Sequence, residues 1–86
     1  MSREIVWTKE AAKDFEYWKK SDITVARKIK KLIENILADP FKGIGKPEPL
    51  RFSLTGAWSR RITQEHRLVY QVEKNVITII SCRFHY

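Results

Sequence analysis

Apolar positions along this 86-residue chain follow two rhythms, helical in the first half and strand-like in the second. Glu4-Ile5-Val6-Trp7 is a short β-prone run and predicts a first strand. Thr8 follows as an N-cap, with Glu10 placed to favour the dipole of the next helix. Ala11, Phe15 and Trp18 recur at spacings of four and three, which is one helical face. Ser21-Asp22 breaks and recaps the chain. Val25, Ile29, Leu32 and Ile36 then repeat at four, three and four, with Ala26, Ile33 and Leu37 widening the stripe. Asp39-Pro40 ends this second helix.

Residues 40–49 contain all three prolines and two of the three glycines, so they read as a structured loop. Four strand-like runs follow: Leu50–Thr55, Ala57–Thr63, Arg67–Val72 and Val76–Phe84. Gly56, Gln64–His66 and Glu73–Asn75 separate them and are short enough for hairpin turns. A strand, two helices and a meander predict an α+β fold, with both helices on one face of a twisted antiparallel sheet. The length gives a single domain over 1–86.

Charge changes the picture. The chain holds 17 Lys+Arg against 10 Asp+Glu, a net of +7, which points to a polyanionic partner. Residues 1–40 carry nine basic and seven acidic side chains; residues 41–86 carry eight and three. In the first half the mixed signs read as solvated helix faces. The second-half bases are mostly arginines, whose planar fork suits phosphate, so the partner surface is expected there. A single cysteine excludes an internal disulfide framework, and two histidines and one cysteine far apart show no metal-ligand spacing. No apolar run has the length of a membrane span and the N-terminus has no apolar signal core, so a cytoplasmic setting is expected.

Metal-free RNA cleavage uses the substrate's own 2′-hydroxyl as nucleophile. It needs a base, an acid for the leaving 5′-oxygen, and cations for the developing charge. Glu48 between two prolines, His85, Arg67, Arg61 and a stacking ring at Tyr86 supply that set. Each also has a plain reading. Glu48 fits a loop acid in an ion pair, and His85 an exposed terminal residue. His66 fits a structural or solvated turn residue, and the arginines solubility charge. Trp7, Trp18 and Trp58 read as core, and Cys82 as a buried inert thiol. Arg60 and Arg61 must face opposite sides of their strand, one to solvent and the other to a rim or a partner.

Three motifs carry a resemblance. Gly45-Lys46-Pro47-Glu48-Pro49-Leu50, the run from Trp58-Ser59-Arg60-Arg61-Ile62-Thr63 through Glu65-His66-Arg67-Leu68-Val69-Tyr70, and the ending Cys82-Arg83-Phe84-His85-Tyr86 resemble the YoeB toxins of the RelE/ParE-like toxin–antitoxin superfamily. The resemblance covers almost the whole chain and implies a RelE-like microbial RNase fold. It implies a homodimeric, ribosome-dependent endoribonuclease that needs no cofactor and cuts mRNA in the ribosomal A site. It also implies restraint by a YefM-type antitoxin. By motif, Glu48 corresponds to the general base, His85 to the general acid and Arg67 to the residue stabilising the transition state. Arg61 and Tyr86 match supporting positions. Lys46 and Arg51 flank the base as RNA contacts, Arg51 standing where lysine is common in the family, and Arg60 and Arg83 extend that basic set. Phe84 stands where tyrosine is common.

Two other readings differ in kind. A superfamily member of the gyrase-directed ParE branch is toxic by binding alone and needs neither acid nor base. A plain basic RNA-binding module would bind in a steeply salt-dependent way and be indifferent to Glu48→Ala.

Overall fold

The computed structural model describes residues 3–50 and 56–84. Five strands and two helices follow one another as β1 (Glu4–Trp7), α1 (Lys9–Ser21), α2 (Ile23–Ala38), β2 (Glu48–Pro49), β3 (Ala57–Arg61), β4 (Arg67–Glu73) and β5 (Val76–Ser81). The helices start where local chemistry dictates. Thr8 Oγ1 accepts from the Ala11 N–H at 3.0 Å. Asp22 closes α1 and opens α2: its N–H donates to the Trp18 carbonyl at 2.8 Å, and its carboxylate accepts from Thr24 and Val25. One residue thus ends one helix and starts the next, which fixes the corner between them. Neither helix is long and apolar enough to cross a membrane.

The strands form one sheet in the order β1-β5-β4-β3-β2. The meander from β2 to β5 is antiparallel throughout, as the short turns require. β1 departs from an all-antiparallel sheet: it lies parallel to β5, with Ile5 opposite Ile77 and Trp7 opposite Ile79. Between these two strands the chain runs through both helices and the other three strands, which gives it ample length to re-enter in the same direction. The first and last strands are thereby zipped together.

Both helices pack on one face. Val25, Ala26, Ile29, Leu32 and Ile36 from α2, with Ala11 and Trp18 from α1, meet Ile62, Leu68, Tyr70, Ile77, Ile79 and Cys82. The β4 and β5 residues in this list alternate along their strands, which assigns Leu68, Tyr70, Ile77 and Ile79 to the helix side. Trp18 is core as expected, and Cys82 is buried with its thiol pushed up to about 12 by desolvation, so it is inert. Trp7 is not core: it sits on the edge strand, 36% exposed, tilted against Phe15 at 5.3 Å. Trp58 is half-buried against the core edge, with Phe41 at 5.1 Å.

Two further expectations need correction. The loop 40–49 contains a short strand, Glu48–Pro49, on the outer edge of the sheet, where proline's missing donor is tolerated. The strands drawn as Ala57–Thr63 and Val76–Phe84 end earlier, at Arg61 and Ser81. Of the strand expected over Leu50–Thr55, Leu50 donates to the Ala57 carbonyl at 2.9 Å, and the remainder lies outside the described residues.

Candidate active site

Three of the expected site residues, Glu48, Arg61 and Arg67, share the face of the sheet opposite the helices. Glu48 pairs with Ser59, Ser59 with Val69, and Arg61 with Arg67. Paired residues share a face, as do residues two apart on a strand. Glu48, Ser59, Arg61, Arg67 and Val69 therefore all share this side, Ser59 and Val69 buried within it and Glu48 and Arg61 exposed at its rim. Arg61 and Arg67 face each other directly across β3 and β4, a like-charge pairing that favours an anion between them. Glu48 lies one strand over, diagonal to Arg61, a separation of roughly 7–8 Å at the backbone. Glu48 and Arg61 are exposed and Arg67 half-buried. Among the described residues the ion pair within 4 Å is Lys19–Glu16, so Glu48, Arg61 and Arg67 meet no opposite charge there. The loop-acid reading of Glu48 as an ion-paired residue thus has no partner among the described residues.

Arg60 requires the plainest correction. Expected among the RNA contacts, it is 0% exposed and points to the helix side. All five guanidinium N–H groups are used. Nε donates to the Tyr70 hydroxyl at 3.0 Å. Nη1 donates to Asn35 Oδ1 at 2.5 Å and to the Ile44 carbonyl at 3.1 Å. Nη2 donates to the carbonyls of Asp39 at 2.7 Å and Lys42 at 3.2 Å. The Tyr70 hydroxyl in turn donates to the Pro40 carbonyl at 2.7 Å. Burial raises the Tyr70 pKa, against the pull of Arg60, which keeps the phenol protonated as that donor. Arg60 is thus the internal tether of the loop over 39–45.

That loop leads into Lys46 and Glu48. Asn35 Oδ1 accepts from the Ile44 N–H at 3.1 Å, and the Gly45 carbonyl accepts from the Arg61 N–H at 2.7 Å. Gly45 has φ +80, and a Cβ there would stand 2.9 Å from Leu32 Cδ2 and 3.1 Å from the Arg61 carbonyl. Only glycine lets the chain pass this close. Lys46 is exposed, with φ 50. The base candidate is therefore presented on an edge strand whose approach is bolted to the interior.

The far side of the site is the end of β5. The Cys82 N–H donates to Asp14 Oδ2 at 3.0 Å, and its carbonyl accepts from Trp18 Nε1 at 2.8 Å. Asp14 is buried, and desolvation raises its pKa, offset in part by the Cys82 N–H. The Arg83 guanidinium stacks over Tyr17 at 3.6 Å and Phe84 at 4.7 Å, and the residue is half-buried. Phe84 is bonded through its backbone to His66 and Arg67. His66 is thus structural. His85, Tyr86 and Arg51 lie outside the described residues.

Sequence reasoning placed the basic surface in the second half alone. The structure adds one from the first half. Arg27, Lys28, Lys30 and Lys31 on the outer face of α2 line, with Thr24, Glu34 and Ile44, an open groove of about 550 Å³. The signal was present as four bases in five positions, 27–31. Asp14 and Asn35 were also missed; a polar residue facing the interior of a helix was the available clue.

The class is set by these features: a small α+β domain whose helices cover one sheet face while arginines and a carboxylate stand on the other. The chain belongs to the YoeB-like toxins of bacterial type II toxin–antitoxin systems, whose family pattern it matches over residues 7–86. It is 48% identical to the toxin YoeB of Escherichia coli K12 over 82 residues, covering 95% of this chain and 98% of that one. It superposes on the YoeB dimer of Staphylococcus aureus with a TM-score of 0.91 at 44% identity, covering 98% of each chain. It also matches YoeB in the heterotetrameric YoeB–YefM complex of the same organism, with a TM-score of 0.88, 44% identity and 98% of each chain covered.

Proposed function

We propose that this toxin is a ribosome-dependent endoribonuclease that cuts mRNA in the ribosomal A site and so halts translation. The observation that carries the reading is the shared open face of Glu48, Arg61 and Arg67, in which a carboxylate and two opposed arginines meet no opposite charge among the described residues. Glu48 takes the proton from a 2′-hydroxyl, whose oxygen attacks the adjacent phosphorus. The bond to the 5′-oxygen breaks, His85 delivers a proton to that oxygen, and the upstream strand is left with a 2′,3′-cyclic phosphate. Arg67 and Arg61 stabilise the charge that builds on the phosphoryl oxygens, and Tyr86 supports them. Lys46, Arg51 and Arg83 hold the strand. No cofactor enters this scheme.

The partners follow from the same surfaces. The ribosome and its displayed mRNA are the polyanion that the net charge calls for. A YefM-type antitoxin restrains the toxin, and the α2 groove with Ile44 beside it suits an acidic, partly apolar segment. The chain acts as a homodimer in the cytoplasm. Purified protein added to programmed ribosomes is expected to give one discrete cut in the A-site codon, and His85→Gln to abolish it while ribosome binding persists. Gyrase inhibition with no RNA cut would support the binding-only alternative.

A further inference from the structure

Phe84 is 59% exposed, so burial of its own ring does not hold it in place. Its backbone has φ 66, a left-handed conformation that is strained for a residue bearing a side chain. Such a conformation persists where the surroundings over-determine it. Here two hydrogen bonds of its backbone do so, beside ring contacts with His66 at 5.4 Å and the Arg83 guanidinium at 4.7 Å. The Phe84 N–H donates to His66 Nδ1 at 2.6 Å, and the Phe84 carbonyl accepts from the Arg67 N–H at 3.1 Å.

His66 is itself immobilised. Its N–H donates to Thr63 Oγ1 at 3.1 Å, and its carbonyl accepts from the Ile62 N–H at 2.9 Å. Its ring stands edge-on to Trp18, with centroids 4.7 Å apart and planes at 79°. Trp18 in turn holds the Cys82 carbonyl. A backbone N–H can only donate, so Nδ1 is the bare acceptor and the ring proton is assigned to Nε2.

We propose that His66 is a positioning residue whose Nδ1 sets the direction in which the chain leaves Phe84 toward His85 and Tyr86. With the N–H and the carbonyl of Phe84 both held, the left-handed backbone of Phe84 itself is secured. The proposal rests on the reading of His85 as the general acid. A general acid must sit within hydrogen-bond reach of the oxygen it protonates, and a misplacement of about 1 Å can cost about 100-fold in rate.

The test is single-turnover cleavage on programmed ribosomes at saturating toxin, beside hydrogen exchange at the Phe84 amide. His66→Phe keeps a ring against Trp18 but removes the acceptor. It is expected to slow cleavage by about 10–100-fold at unchanged ribosome affinity and to speed exchange of the Phe84 amide. His66→Asn restores an acceptor near the position of Nδ1 and is expected to recover most of the rate and the protection. His66→Gln carries its acceptor one bond further out and should behave as His66→Phe, which serves if the Phe variant fails to fold. Wild-type cleavage by His66→Phe, or equal losses in the Phe and Asn variants, overturns the proposal. Failure of the wild type to cut overturns the functional reading along with it, whereas unchanged Phe84 exchange in His66→Phe overturns the clamp alone.

Discussion

The approach to Glu48 and the approach to His85 are secured in opposite ways. The loop over 39–45 is organised chiefly around one side chain: Arg60 reaches three of its carbonyls and the amide of Asn35, while Tyr70, Asn35 and the Arg61 N–H add one bond each. The segment 82–84 is organised by four residues, Asp14, Trp18, His66 and Arg67, each holding one backbone group. A centralised anchor fails all at once, because its loss removes a donor from several part-buried acceptors together. A distributed anchor fails by degrees. The proposed base thus depends mainly on one buried cation, and the proposed acid on several replaceable contacts.

Arg60→Leu is the strongest way to break this contrast. Deleting the guanidinium removes a donor from the Asp39, Lys42 and Ile44 carbonyls and from Asn35 Oδ1, which keeps only the Ile44 N–H, for an expected loss of about 2–4 kcal/mol. Urea unfolding measures it, and a loss under about 1 kcal/mol would mean the loop holds itself. Tyr70→Phe should be milder, about 1–2 kcal/mol, since it removes only the bridge to Arg60 and Pro40.

The distributed side predicts smaller, graded effects. Asp14→Leu orphans the buried Cys82 N–H and is expected to cost about 1–3 kcal/mol. Asp14→Asn keeps an acceptor and should cost less. Acidity separates the two further. Burial raises the Asp14 pKa above its ordinary 3.8, so the folded chain binds this proton more tightly than the unfolded one. The contribution of Asp14 therefore favours the fold most below about pH 3.8 and is lost as pH climbs through the raised value. Relative to Asp14→Asn, the wild type should gain stability as pH falls through that window. A pH-independent difference in urea midpoint would show that Asp14 is not desolvated.

Local chemistry made α1 and α2 legible, since Thr8 and Asp22 act within a few residues of themselves. The antiparallel meander was legible for the same reason, its turns being short. The parallel pairing of β1 was not, because it joins residues more than 70 positions apart. β2 was hidden by Pro47 and Pro49, which read as loop wherever an edge strand tolerates them. Alternation placed Arg60 and Arg61 on opposite faces but could not say which was buried; that depended on carbonyls supplied by a distant loop. His66 reads from the sequence as a structural or solvated turn residue, but its role does not, since its bond partner is a backbone amide 18 residues away.

On the proposed function, the face bearing Glu48, Arg61 and Arg67 cuts RNA rather than only gripping it. The most direct measurement of this is the single-turnover rate of A-site cleavage by Glu48→Gln, taken beside its affinity for the same programmed ribosomes. Glu48 is exposed on an edge strand, so the substitution spares the fold. A loss of rate of at least about 100-fold is expected, with affinity unchanged. A variant that cuts at the wild-type rate, or one whose loss is wholly in binding, would contradict it.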